Sequence, residues 1–155
     1  MYFDYEIRKL DLSFFGAYPN PPFTEIERNF ERPHTMLVFN FHEDLFICVP
    51  FRSHIPHNNC YHFTLSNRSN RSKSGMDFSK TLIIKNPQFI GVPTTVDNDE
   101  FSEFLKNKDI IMEELIKYIH DYKNHCLRTR TLHQREYDRR YKYTTLKYFH
   151  DLLNI

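Results

Sequence analysis

The apolar pattern of the chain changes its period once, near residue 97, and that change limits the folds open to it. Before it, apolar runs of strand length dominate. Met36-Leu37-Val38-Phe39-Asn40-Phe41 and Leu45-Phe46-Ile47-Cys48-Val49 are separated only by His42-Glu43-Asp44, which predicts a hairpin of buried strands. Tyr61 to Leu65 and Lys80 to Lys85 read as further strands, and residues 2–18 alternate loosely enough for one or two more. Prolines predict a turn at Tyr18-Pro19-Asn20-Pro21-Pro22. Thr24, followed by Glu27 three residues on, predicts a capped helix over Thr24 to Phe30. Asn67 to Ser74 is expected to be a polar, basic, flexible loop.

Beyond residue 97 the period becomes helical. Asp99 to Asn107 reads as a short helix. Asp109 to Asn124 carries apolar residues at 110, 111, 115, 116 and 119, one stripe of an amphipathic helix. Thr144 or Thr145 is expected to cap a last helix reaching Leu153, with Leu146, Phe149, Leu152 and Leu153 inward. The fold class expected is α+β: a compact, curved antiparallel sheet or small barrel with helices packed against it. All 155 residues fit one domain.

Composition removes several function classes. Three glycines leave no glycine-rich phosphate cradle, so Walker and Rossmann nucleotide folds are excluded and no cofactor is implied. Cys48, Cys60 and Cys126 are odd in number and contain no C-x-x-C pair, which predicts reduced core cysteines rather than disulfides or a zinc ribbon. His120, His125, His133 and His150 match no zinc spacing, so no metal site is expected. No apolar run reaches membrane length, and Met1-Tyr2-Phe3-Asp4-Tyr5-Glu6 has no signal-peptide character. The expected compartment is the cytoplasm.

A net charge of +1 conceals a segregated distribution. Residues 51–85 and 123–147 together hold fourteen basic and three acidic side chains, whereas residues 1–50 and 97–121 are acidic. Basic blocks interleaved with aromatics and histidines suit a polyanion, whose phosphates would dominate affinity. Two ordinary solvated faces are the alternative.

Three segments carry chemistry. Val49-Pro50-Phe51-Arg52-Ser53-His54-Ile55-Pro56-His57-Asn58-Asn59 follows a buried strand. Metal-free RNA cleavage needs a base for the ribose 2′-hydroxyl, an acid for the leaving 5′-oxygen and a cation for the phosphorane. His54 and His57 suit the proton steps, Arg52 can grip two phosphate oxygens, and Ser53 can donate to a third. A plain polar loop is the competing reading. In Gly75-Met76-Asp77-Phe78-Ser79-Lys80-Thr81, Lys80 offers a second cation and Asp77 could orient a neighbouring Arg or His. A turn capped by Asp77 explains the same residues. In Leu132-His133-Gln134-Arg135-Glu136-Tyr137-Asp138-Arg139-Arg140-Tyr141-Lys142-Tyr143, cations alternate with tyrosines, as in surfaces that stack RNA bases. Tyr137 and Tyr141, one helical turn apart, could instead cover the core.

Together, V-P-F-R-S-H-I-P-H (49–57), G-M-D-F-S-K (75–80) and L-H-Q-R-E-Y-D-R-R-Y-K-Y-T-T-L-K-Y-F-H-D-L-L (132–153) resemble the toxins of type III toxin–antitoxin systems. The CptN/TenpN branch is the nearer, ToxN and the phage-abortive protein AbiQ the more distant. The resemblance runs from about residue 36 to the end. It implies a MazF/Kid-like fold and a metal-independent bacterial endoribonuclease that leaves a 2′,3′-cyclic phosphate. It also implies a small pseudoknotted antitoxin RNA, which the toxin processes and which inhibits it in a closed toxin–RNA hetero-oligomer. Cellular mRNA would be the substrate; neither DNA nor membrane is implied. In ToxN-like proteins a hydroxyl pair and a lysine follow the proline at the strand end. Here Ser53 matches, Arg52 replaces the other hydroxyl, and Ile55 stands where a lysine would.

The roles expected are therefore His57 and then His54 in proton transfer, Arg52 and Lys80 on the transition state, and Ser53 on the scissile phosphate. Asn58, Asp77 and Ser79 belong to the substrate groove. Arg68, Arg71, Lys73, His133, Arg135, Arg139, Arg140, Tyr141, Lys142 and Lys147 would bind RNA. A non-catalytic RNA-binding protein shares this charge pattern. So does a protein-binding domain that docks through its acidic helix 99–121.

Overall fold

In the computed structural model, residues 5–28, 35–42 and 44–155 are described. Seven antiparallel strands form one sheet: β1 (Tyr5–Leu10), β2 (Thr35–His42), β3 (Leu45–Arg52), β4 (Cys60–His62), β5 (Gly75–Asp77), β6 (Leu82–Ile84) and β7 (Ile90–Pro93). The path is β4-β5-β3-β2-β1-β7, with β6 also on β3. Among the described residues its ends, β4 and β7, do not pair, so of the two forms expected, sheet or small barrel, the structure has the open sheet. Among the described residues there are five α-helices: α1 (Ser13–Ala17), α2 (Asn67–Ser72), α3 (Asn98–Cys126), α4 (Gln134–Tyr141) and α5 (His150–Leu153). The α+β class, the helical C-terminal half and the β2–β3 hairpin stand as expected.

β3 creates the site by changing partners. Phe46, Ile47 and Cys48 pair with Ile84, Ile83 and Leu82 of β6, but Phe51 and Arg52 pair with Met76 and Gly75 of β5. Between the two partners lies Pro50, which has no N–H to donate to a ladder. Into the gap folds a 3₁₀ turn, Phe78–Lys80, which sets Asp77, Ser79 and Lys80 beside the end of β3. Over the sheet α3 lays one face, burying Phe104, Ile111, Leu115, Tyr118, Ile119 and Tyr122. Phe104 meets Tyr5 edge-on at 5.4 Å, and Tyr118 lies 6.3 Å from Phe78. Each such side chain removed from water contributes about 1.5–3 kcal/mol.

Several local expectations give way to tertiary contacts. The N-terminal alternation forms one strand and then α1; residues 2–4 lie outside the described region. The helix expected from Thr24 is a turn at residues 24–25 and a bend at 26, with 27–28 irregular, and residues 29–30 lie outside the described region. Here the backbone groups a helix would need are taken: Glu25 N–H donates to the Tyr148 hydroxyl (3.2 Å), and its carbonyl accepts from Lys80 (3.0 Å). β4 stops at His62 because the N–H groups of Thr64 and Leu65 turn to the buried Glu103 carboxylate at 2.8–3.0 Å. The expected flexible loop from Asn67 is α2, capped by Ser66, whose Oγ accepts from Ser69 N–H at 3.0 Å. Lys80 lies in the 3₁₀ turn rather than in a strand. The two helices expected before and after Asn107 do form: α3 is kinked at Asn107, where the dihedrals are non-helical and the side-chain amide donates to the Glu103 carbonyl. The last helix is divided into a 3₁₀ turn capped by Thr144 and α5. No helix among the described residues is long and apolar enough to cross a membrane.

Candidate active site

Asp77 is the hub. Its side chain is wholly buried, and four donors converge on it. Oδ1 accepts from Ser79 N–H at 3.0 Å and from Ser79 Oγ–H at 2.6 Å, an Asx-type turn that starts the 3₁₀ segment. Oδ2 accepts from the Arg52 guanidinium and lies 3.5 Å from His57 Nε2. Burial alone would raise the Asp77 carboxyl. Hydrogen bonds from His57 and Ser79, with the charges of His57 and Arg52, outweigh it and hold the group below its ordinary range.

Arg52 reaches Asp77 because it is the last residue of β3, opposite Gly75. Its Nε is held by Glu27 at 2.7 Å. The guanidinium therefore lies between two carboxylates, and only one of them is buried. Glu25 plays a similar part for Lys80 (3.8 Å) and Lys147 (3.7 Å). Lys80 donates to the Glu25 and Tyr143 carbonyls at 3.0 and 3.1 Å. Burial depresses its ammonium below the ordinary value against the pull of Glu25 and Asp77. Lys80 thus ties segment 23–28 to the sheet, and the phosphate cation expected of it is already engaged within the fold.

The loop 53–59 is pinned at both ends. His54 and Ile55 donate their N–H groups to the carbonyls of Ser72 and Lys73, and the Ile55 side chain is buried. His54 has a left-handed backbone (φ 59°) and an exposed ring; Ser53 is half-buried. Asn59 donates to the Arg139 carbonyl at 3.1 Å, joining the loop to α4. In His57, Nδ1 accepts the Asn59 N–H at 3.1 Å, while Nε2 lies 3.3 Å from Ser79 Oγ. That pattern puts the ring proton of neutral imidazole on Nε2. Both nitrogens of His57 therefore have partners, an unexpected setting for the residue assigned the proton transfers.

A groove of about 300 Å³ opens beside this cluster, lined by Pro56, His57, Asn58, His62, Asn70 and Lys73 among others. Asn58 and Lys73 face solvent there. Lys73 has a left-handed backbone (φ 48°) and, among the described residues, no ion pair. His62 escaped the sequence reading altogether. Its Nε2 lies 3.0 Å from the His57 carbonyl, which also accepts from Cys60 Sγ at 3.3 Å. Burial, with the nearby Asp77 charge, pushes the Cys60 thiol up to about 12, so it is unreactive. Glu25 and Glu27 were also missed, since their segment bears none of the family motifs. The one available sign was the Cys60/His62 alternation, which places both side chains on one face of β4.

The expected RNA-binding residues divide. Arg71 and Arg135 are exposed and, among the described residues, unpaired; Lys142 is exposed and lies 5.4 Å from the Tyr143 ring. Arg68 is tied to Glu100 at 2.7 Å, and Arg140 to Asp121 at 3.0 Å. Arg139 is exposed, with Glu136 at 3.9 Å. His133 caps α4, its ring accepting from Arg135 N–H. Tyr141 is a correction: its ring is buried against Tyr118 and Tyr122, and its hydroxyl donates to the Tyr118 carbonyl at 2.7 Å, so no base can stack on it. Asp77 and Ser79 are also buried, and they act behind the groove wall rather than on it. Among the described residues no grouping of His, Cys, Asp or Glu is placed to hold a metal ion.

Comparison with protein-family models, curated proteins and solved structures finds nothing that matches this chain.

Proposed function

We propose that this chain is an endoribonuclease that needs no metal, the toxin of a type III toxin–antitoxin pair in the bacterial cytoplasm. The open sheet would be a variant of the MazF/Kid architecture. One observation carries the catalytic reading: a single buried carboxylate, Asp77, tethers Arg52, Ser79 and His57, and His57 lines a groove that also contains a second histidine and an open lysine. Buried carboxylates that orient a cation and an imidazole are the supporting parts of a preorganised phosphate site. Arg52 exchanges Glu27 for a phosphate oxygen and stabilises the phosphorane. His57, hydrogen-bonded through both ring nitrogens, holds the groove wall in place beside it. Ser53 and His54 flank the strand; Asn58 and Lys73 guide the RNA strand along the groove. The product is a 2′,3′-cyclic phosphate, and the natural inhibitor is a small pseudoknotted RNA that fills the groove after the toxin has processed it, in a closed assembly. Cellular mRNA is the substrate.

Purified chain incubated with labelled single-stranded RNA in EDTA should generate fragments ending in cyclic phosphate, and Arg52→Ala should lose at least about 100-fold in rate. Intact RNA, or an R52A variant as fast as the parent, defeats the proposal. A second reading, RNA binding without turnover, is favoured by the compensated state of Arg52 and Lys80. It predicts saturable binding in the same assay with no fragments.

A further inference from the structure

We infer that His62 is the general base of the reaction, the group that takes the 2′-hydroxyl proton. This rests on the ribonuclease reading above and adds a residue that no motif marked.

Position comes first. Gly75 pairs with Arg52 of β3 on one side and with His62 of β4 on the other. Directly opposed residues of antiparallel strands share a face. Arg52 and His62 thus project from the same face at the same level, about 10 Å apart at the backbone across two strand spacings. Between them Gly75 has no side chain, and none fits: a Cβ there would lie 2.1 Å from the Tyr61 carbonyl oxygen. The strands approach too closely there for any side chain, so no Gly75 side chain stands between Arg52 and His62, and a ribose–phosphate unit lying across β5 would be within reach of both.

Hydrogen bonding comes second. His62 Nε2 is held by the His57 carbonyl at 3.0 Å, so Nε2 carries the proton and Nδ1 keeps its lone pair. Among the described residues Nδ1 has no partner, and the ring is half-buried on the groove wall. A carbonyl on one nitrogen and a free lone pair on the other is the arrangement of an oriented base. His57 lacks it. Protonating His57 Nδ1 would set its hydrogen against the Asn59 N–H that now donates to it. The charged and titratable neighbours of His62 are His57 from the loop, Lys73 from the end of α2 and Cys60 on its own strand, with Asp77 of β5 and Arg52 of β3 further along the same sheet face.

The step balances as follows. His62 Nδ1 takes the proton of the 2′-hydroxyl while the 2′-oxygen bonds to phosphorus. The bond from phosphorus to the 5′-oxygen breaks, and that oxygen takes a proton from water at the open side of the groove. The hydroxide left behind neutralises the His62 imidazolium.

The test is single-turnover cleavage of a labelled single-stranded RNA by the full chain in EDTA across pH. Wild type should quicken with rising pH on the acid side, as the base loses its proton. His62→Gln keeps a donor for the His57 carbonyl, so its melting temperature should match wild type, but its rate should fall by about 100-fold or more. The acid-side pH dependence should disappear, a readout independent of how much of the variant is folded. Free imidazole should restore cleavage by His62→Ala. A His62→Gln variant with the parental rate and pH profile overturns the assignment alone, as does imidazole rescue of His57→Ala but not of His62→Ala. A wild-type chain that leaves RNA intact overturns both this assignment and the function on which it rests.

Discussion

Replacing Asp77 by Asn tests whether the site is built around one carboxylate. Asn is isosteric and can still accept from Ser79 N–H and Oγ–H through Oδ1, but it presents an amide to Arg52 where Oδ2 stood. Breaking one side of a buried ion pair costs about 3–5 kcal/mol. The low end, about 3 kcal/mol, applies because Arg52 keeps Glu27 at 2.7 Å and retains some solvent. For a chain of this size that is a fall of roughly 6–12 °C in melting temperature. The pH dependence has a definite sign. Asp77 is held below its ordinary 3.8, so its stabilisation is complete above that value and is lost as pH falls through the folded-state value. Thermal or urea unfolding of wild type and D77N should therefore differ by a constant amount from pH 7 to about 5, and the gap should narrow below about 4. A D77N within about 1 kcal/mol of wild type at pH 7, or a gap that widens on acidification, refutes the hub.

Glu27→Gln frees one side of Arg52. Stability should change by less than about 1 kcal/mol, since the pair is partly exposed, while RNA affinity at low salt should rise several-fold in an anisotropy titration; unchanged affinity would mean that Glu27 and phosphate do not compete. Lys73→Gly removes both a left-handed non-glycine residue and a groove cation. It should gain up to about 1 kcal/mol in urea unfolding and lose affinity, and a variant that gains nothing would show that its backbone is not strained. Tyr141→Ala should cost about 3–5 kcal/mol by cavity formation and loss of the hydroxyl bond to Tyr118, while the folded fraction binds RNA normally; a stable Y141A with weakened binding would instead place the ring on the RNA surface.

Legibility in the sequence followed the range of the interactions. The β2–β3 hairpin and the stripe of α3 depend on neighbours in sequence, so periodicity exposed them. The loop expected from Asn67 failed in two ways: the Ser66 cap is local and was overlooked, whereas the tie of Arg68 to Glu100 of α3 is remote and could not be read. Segment 23–28 failed for the second of these reasons. Its capping box is sound locally, but Lys80 and Tyr148 take the backbone groups of Glu25. Of the site itself, Arg52, His57, Asp77, Ser79 and Lys80 were legible as residue types near a strand end. Their division of labour was not. That Asp77 lies behind the wall, that Lys80 is an anchor and that His62 joins the groove all depend on β5 passing between β3 and β4, a pairing no local pattern encodes.

The same folding back changes what the charge blocks mean. Glu25 and Glu27 from the acidic N-terminal block neutralise Arg52, Lys80 and Lys147, while Glu100 and Asp121 from the acidic helix neutralise Arg68 and Arg140. Much of the basic excess is therefore spent within the fold, and a count of basic residues overstates the phosphates that can be held. Among the described residues Arg71 and Lys73 are exposed without ion pairs at the end of α2, and Arg128, Arg130 and Arg135 are exposed without ion pairs around the start of α4. Each phosphate neutralised on a single strand contributes about 0.7 to the slope of log affinity against log salt. A short single-stranded RNA held only in the groove should give a slope near 1.4, rising toward 2 if Arg52 exchanges Glu27 for phosphate. A folded RNA that also reaches the α4 face should approach about 3.5 or more. Titrations of both RNAs between low and moderate salt separate the cases. A slope near zero for both would remove phosphate recognition, and with it the nuclease reading; equal slopes would remove the second basic face from the RNA surface.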